Sequence, residues 1–352
     1  MEDGRSFILI FLKCIVRPQC ERIGDRSLFH FCYELHNAII FMKEISKLGV
    51  LCPPLLKKYK KKVLFRLSKL INNKIFIIFA PKSTGMTLQK WIKDRAIHGY
   101  PTFSIEDVRN IGMYSSEQIL QNELSRLCAN KTIANVYRGF YVIFPVHYIL
   151  RGSIPASYYI DQLMFYLGKP YYVCMLSAAE QLGAAHQRPQ QFSVMTTFPK
   201  RRVVSTRNVT IDWFYRDRLP EEALIIKNTE TGTIRISNPL LTAADLIQYQ
   251  QHVGGLSRVA TILEELAEQI DIRNQFRLIM PYVKTVTWQR LGYILENIID
   301  GTALADELYE QLCSMSVHMV YKPLSTSAED NPSNRDSRWK ININVQIETD
   351  DI

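Results

Sequence analysis

The stretch YYVCMLSAAEQLGAAHQRPQ, Tyr171 to Gln190, decides how the chain is read. Tyr171 to Met175 follows Lys169-Pro170 as a short apolar run, too short and too rich in β-formers for a helix, and predicts a buried strand. Ser177 is placed to cap a helix of good formers from Ala178 to Leu182, with Glu180 at the third helical position to complete a capping box and Gly183 to stop it. A loop, 184–189, follows. Glu180, His186, Gln187 and Arg188 crowd this short span and invite a catalytic reading, with His186 as general base and Glu180 as its orienting carboxylate. The competing reading is a histidine and glutamine that fasten a loop to its own helix. The absence of a nucleophile, a metal-ligand spacing or a phosphate loop beside them favours the second.

Toward the C-terminus come β-like runs at 191–197, 201–205, 209–215, 223–227 and 233–237, the last after the turn Glu230-Thr231-Gly232, and together they predict a mixed sheet. Asn238-Pro239 then opens a helical series over 240–250, 256–270, 272–282, 287–299 and 304–314, with proline at the first helical position. Gly254-Gly255 lacks a preceding strand and any phosphate-loop pattern, so it reads as a separator of two helices. Residues 339–347 alternate as a returning strand. The fold class is α/β (α+β).

Toward the N-terminus, Arg151-Gly152-Ser153-Ile154-Pro155 is the expected domain boundary, leading into a helix from about Ser157 to Gly168. Residues 86–151 read as helix, short helix, turn, helix. Thr87 to Ile97 carries Leu88, Trp91, Ile92, Arg95 and Ala96 at helical spacing; Ser104 and Asp107 pair as a capping box for the second helix; Gly112 ends it. Ser115 caps the third helix with Gln118 as its partner, and Leu120, Leu124, Leu127 and Cys128 form the apolar stripe. This is helix-turn-helix order, in which the later helix enters the DNA major groove. The polar side of that segment offers Ser115, Ser116, Gln118, Gln121, Asn122, Ser125 and Arg126, with Lys131 beyond; Asn and Gln suit adenine edges, Arg guanine and Ser phosphate. Ile133 to Ile143 is β-rich and broken at Arg138-Gly139, a wing with its turn at the arginine. A small helical domain with a solvated polar face is the plainer alternative.

The formal charge of +9 resembles a nucleic-acid signature until it is divided. Residues 1–85 hold 16 Lys+Arg against 6 Asp+Glu, leaving 27 against 28 for the rest; 86–151 hold 8 against 5, weak support for phosphate contact. Residues 1–85 show lysine runs and no clear periodicity. The simplest account is that they are an over-extended translation with Met86 as the biological start; a basic arm gripping phosphates is the alternative. The 7 cysteines have no CxxC or zinc spacing, which reads as reduced thiols in a cytoplasmic protein. The apolar run Phe7 to Val16 contains Lys13 and is too short for a span, so no membrane segment is expected; without metal-ligand spacing or a phosphate loop, no metal or cofactor is expected either.

The order RGFYVIFP (138–145), YYIDQLMFYLGKPYYVCMLSAAEQLGAAHQRPQQF (158–192), NPLLTAADLIQY (238–249), HVGGLSRVATILEELAE (252–268) and VTWQRLGYILE (286–296) resembles the AbiEi antitoxin family of type IV toxin–antitoxin, or abortive infection, systems. The resemblance runs from about residue 86 to the C-terminus and leaves out 1–85. It implies a winged helix-turn-helix domain over 86–151 that binds operator repeats and represses its own operon. It further implies a body over 152–352 that counteracts a nucleotidyltransferase-like toxin, with or without direct contact. Two other classes stay open. Asp212, Asp217, Glu221, Glu222 and Lys227 could form a metal-dependent nuclease site, against the reading of ordinary surface charges on a hairpin. A body that senses a small ligand would make the chain a plain transcriptional regulator. Lys200, Arg201, Arg202 and Arg207 form a basic patch, and Glu264, Glu265 and Glu268 an acidic helix face, both most simply solvated.

Overall fold

The computed structural model describes residues 86–352 apart from Ser115, 185–188, 201–210 and 349–352. The expectations for residues 1–85 therefore lie outside the described residues, and Thr84–Ile352 forms one compact unit. Its first helix, α1 (Leu88–Ile97), is capped by Thr87, whose side chain accepts from Lys90 N at 3.3 Å. It buries Leu88, Trp91, Ile92 and Arg95. The Arg95 guanidinium is kept inside by aromatic faces and one carbonyl: it lies over the Trp91 and Tyr100 rings and donates to Thr102 O at 2.8 Å. A short strand that the sequence did not advertise, β1 (Thr102–Ser104), leads into α2 (Ile105–Ile111). The capping box is formed as expected, with Asp107 N donating to Ser104 Oγ at 3.1 Å and Ser104 N to Asp107 Oδ2 at 2.7 Å, and Gly112 ends the helix with φ 69°.

The third helix, α3 (Glu117–Ala129), corrects one expectation. Its cap is Ser116, whose Oγ accepts from Ile119 N at 3.3 Å, so Gln118 is no box partner, and Ser115 lies outside the described residues. Two adjacent serines are equally good caps by chemistry. The choice falls one residue later, where Glu117 opens the helix beside its positive end and is gripped by Arg109. The hairpin of β2 (Ile133–Tyr137) and β3 (Phe140–Ile143) follows, and β3 pairs antiparallel with both β1 and β2.

After α4 (Val146–Ile149) and α5 (Ile160–Leu167), which Gly168 ends in the left-handed region, the chain enters the body sheet at β4 (Tyr171–Val173). Next come α6 (Met175–Leu182), β5 (Phe192–Thr197), β6 (Ile211–Arg216), β7 (Leu224–Thr229) and β8 (Gly232–Ser237). The sheet order is β6-β5-β4-β8-β7, mixed as expected: β4 runs parallel to β8 and antiparallel to β5, and β5 runs parallel to β6. Here a second expectation fails. Cys174, not Ser177, precedes α6, which starts earlier and places Glu180 mid-helix, away from any capping box. Ser177 is buried instead, its hydroxyl accepting from Ser193 N at 2.9 Å and donating to Gln191 O at 3.3 Å. A serine that looks like a cap is a tie between α6 and the start of β5.

Strand alternation divides two cores. Tyr171 and Val173 face one with Val194, Ile234, Ile236, α5 and the hairpin residues Val136, Phe140 and Val142. Tyr172 faces the other with the helical series. That series is α7 (Pro239–Gln248), capped by Asn238 with Pro239 first, α8 (Leu256–Ala267), α9 (Ile272–Ile279), α10 (Thr285–Asn297) and α11 (Thr302–Ser314). Gly254 and Gly255, with φ 98° and 96°, separate α7 and its trailing turn from α8. The expected boundary at 151–152 thus falls beside an apolar core that the hairpin and the body share.

The expected strand over 339–347 is reduced to β11 (Ile341–Asn342), which pairs with β9 (Lys322–Pro323) and β10 (Arg335–Asp336). Trp339 is not part of it. Its indole is fully buried in the helical core, and the apolar alternation that suggested a strand reflects this plugging.

Candidate functional site

One face of α3 is apolar and inside: Leu120, Leu124 and Leu127 are at most 2% exposed. The opposite face presents Gln118, Gln121, Asn122, Ser125 and Arg126, all exposed, with exposed Ser116 at its N-terminal end; Ser115 lies outside the described residues. Several of these side chains are engaged with one another. Gln118 Nε2 donates to Asn122 Oδ1 at 3.1 Å and Gln121 Nε2 to Glu117 Oε1 at 3.0 Å. Arg126 grips Glu123 through two bonds of 3.0 and 2.7 Å, and Arg109 grips Glu117 through two of 3.2 and 2.6 Å. Sequence reading missed Glu117, Glu123 and Arg109. The i,i+3 spacing of Glu123 and Arg126 was the available signal, whereas the Arg109 pair joins two helices and had none.

These pairs settle the protonation of the face. Hydrogen bonds from Arg109 and Gln121 hold the Glu117 carboxyl below the usual carboxylate range, and the bond from Arg126 does the same for Glu123. Both stay ionised at neutral pH, so neither arginine faces solvent as an uncompensated cation.

Lys131 follows α3 with φ 53°, its ammonium 3.6 Å from where a Cβ on Gly152 would sit. Arg138 has an exposed side chain, but the turn that carries it is docked. Gly139 O accepts from Ile105 N at 2.8 Å, Arg138 O accepts from Tyr166 Oη at 3.5 Å, and a Cβ on Gly139 would meet Ile105 and Tyr166 at 3.2 Å. The expected wing is therefore a tight hairpin whose backbone tip is seated on α2 and α5.

In the body, Glu180 is half-buried on α6, while His186, Gln187 and Arg188 lie outside the described residues. The carboxylates weighed as a nuclease set do not converge with their lysine. Asp217, Glu221 and Glu222 line a groove with Pro170, Thr197, Leu278 and Tyr282, whereas Lys227 is taken up by the carbonyl of Gln181. Asp212 stands apart on β6, its carboxyl pushed up by burial and drawn down by the charge of His252. Among the described residues no group of three or more His, Cys, Asp or Glu side chains is placed to hold a metal ion. Of the basic patch, Lys200 lies over the Tyr215 ring at 5.7 Å and residues 201–210 lie outside the described residues.

One ion pair of the body is buried on both sides. Arg216 on β6 donates to Asp245 on α7, which also accepts from Tyr172 Oη at 3.0 Å. Asp245 and Tyr172 are fully buried and Arg216 nearly so. The carboxylate thus joins β6, β4 and α7, and it fixes the sheet against the helical layer.

The described residues define an α+β protein: a helical head with a polar helix face, joined through a shared core to a sheet backed by five helices. Residues 171–297 match the AbiEi antitoxin C-terminal domain, a match that supports an antitoxin role for this part of the chain. Among solved structures, the crystal structure of the RV2827C protein from Mycobacterium tuberculosis is similar over 74% of this chain and 94% of that one, at 12% identity and a TM-score of 0.51, a likeness of fold. A search of curated proteins finds no match. No described helix is long and apolar enough to cross a membrane.

Proposed function

We propose that the chain is the antitoxin of a type IV toxin–antitoxin pair that also binds operator DNA and represses its own operon. DNA binding is assigned to the head, read as a winged helix with α3 in the major groove, and antitoxicity against a nucleotidyltransferase-like toxin to the body. The observation that carries the reading is the exposed row Gln118, Gln121, Asn122 and Ser125 on a helix whose other face is locked into the core, in a chain with an AbiEi antitoxin C-terminal domain. Amide side chains at these positions suit adenine edges, while the ion-paired arginines contribute less phosphate attraction than their number suggests.

A gel-shift titration of the full chain on the DNA upstream of its own gene, at fixed salt, tests the first half. Saturable binding with competition by that DNA and not by unrelated duplex is expected. Co-expression with the neighbouring toxin tests the second: the full chain should restore growth, and persistent arrest would remove the antitoxin assignment. His186→Ala separates the halves provided its circular dichroism is unchanged, since the folded variant should reduce rescue and leave DNA binding by the head intact.

A further inference from the structure

β7 ends the five-stranded sheet: β8 pairs with one of its edges, and no described strand pairs with the other. End strands commonly carry outward lysines, a proline or a bulge that discourages further pairing. β7 has no proline and no register shift from Leu224 to Thr229, and its Lys227 ammonium is occupied by the Gln181 carbonyl. What it shows to solvent is mixed, with Ile226 70% and Ile225 39% exposed beside the exposed Lys227 and Asn228. The strand is also held at both ends. Ahead of it, Asn238 N donates to Ala223 O at 3.0 Å; beyond it, Tyr148 Oη donates to Glu230 at 3.0 Å and Gln162 Nε2 to Thr231 O at 3.2 Å. The open edge is thus tied in place at both ends, and its central residue, Ile226, is its most exposed apolar side chain.

Its register is legible. Thr229 and Gly232 close the two-residue turn between β7 and β8. In such a hairpin the closing pair exchanges both ladder bonds, and bonded pairs recur at every second residue. Ile225 and Lys227 therefore turn their main-chain groups to β8, while Leu224, Ile226 and Asn228 turn theirs to the open edge.

We propose that this edge pairs with β7 of a second copy of the chain, antiparallel about a two-fold axis through Ile226. The sequence selects both occupant and register. With Ile226 on the axis, Ile226 meets itself through two reciprocal main-chain bonds, Leu224 meets Asn228, and Ile225 lies against the aliphatic stem of Lys227; no like charges are opposed. A shift by one residue would set Lys227 against Lys227 and present main-chain groups already used by β8. The pairing joins the two sheets into one, and it is a closed, self-complementary contact.

Sedimentation equilibrium of the full chain tests it. The wild type is expected to shift from monomer to dimer mass with concentration, and both Ile226→Lys and Ile226→Glu should raise the dissociation constant at least about tenfold, since each opposes like charges on the axis. Unchanged circular dichroism would show that both remain folded. Mixing the two variants should restore association, because Ile226 faces only its own symmetry mate. A wild type that stays monomeric up to its solubility limit overturns the proposal. So does a dimer indifferent to both variants, or a mixture that fails to associate.

Discussion

Trp339 occupies the space that a side chain on residue 292 would need: a Cβ built on Gly292 would lie 2.0 Å from Cζ3 of the indole and 2.2 Å from Cη2. The glycine sits inside α10, where it costs roughly 1 kcal/mol relative to alanine by propensity alone. Its use is to admit the C-terminal segment. Gln289, one turn earlier on α10, donates to Trp339 O at 2.8 Å and to Val320 O at 3.0 Å, so one face of the helix receives both the indole and its backbone. Gly292→Ala should therefore destabilise the chain despite the better helix former, by about 1–3 kcal/mol as an overpacked core does. Urea unfolding measures it; an unchanged or higher midpoint would show that Trp339 can move aside freely.

The Arg216–Asp245 pair makes a prediction with a pH signature. Burial pushes the Asp245 carboxyl up, while Arg216 and then Tyr172 draw it down against that push. The folded value remains above the ordinary one, so the contribution of this group is fully present below the unfolded pKa and declines as pH rises through the folded one. Arg216→Met removes the main opposing charge and raises the folded value further. The variant should lose about 3–5 kcal/mol at neutral pH, the cost of stranding a buried carboxylate, and the deficit should shrink as pH falls and Asp245 protonates. Thermal melts of both proteins from neutral to mildly acid pH give the difference; a deficit constant across that range would contradict the assignment.

Much of this architecture is legible in the sequence because it rests on local chemistry. The Ser104 capping box, the glycine stops at Gly112, Gly168 and Gly183, the turn at Arg138-Gly139 and Asn238-Pro239 each require one residue type at one position. What stayed hidden depends on distant partners. Ser177 has the chemistry of a cap, and only the arrival of Ser193 makes it a tie. Trp339 belongs to an alternating run, and only Gly292 explains its burial. For the site, the exposed polar row of α3 follows from helical period, whereas the neutralisation of Arg109 by Glu117 needs the packing of α2 beside α3.

Asn122 lies near the middle of the exposed row, and its Oδ1 accepts from Gln118, which leaves its amide N–H groups for a base edge. Asn122→Ala should weaken operator binding by about 1–3 kcal/mol with stability little changed. A gel-shift titration beside a thermal melt separates the two effects, and unaltered affinity would take α3 out of the reading role.

Glu123→Gln carries the most specific prediction. Lowering the pH is a poor way to free Arg126, because its bond holds the Glu123 carboxyl below the ordinary range. The pair therefore persists until pH falls through that depressed value, far from neutrality. Substitution removes the charge at any pH and leaves Arg126, 57% exposed at its side chain, available to a phosphate. If α3 lies against the duplex, affinity at low salt should rise several-fold, and the slope of log K against log salt should steepen by about 0.9, the signature of one further phosphate contact. The same change should act on specific and unrelated DNA alike, since phosphate contacts carry no sequence information. An unchanged salt slope, with the variant folded, would place Arg126 and its end of α3 away from the DNA backbone.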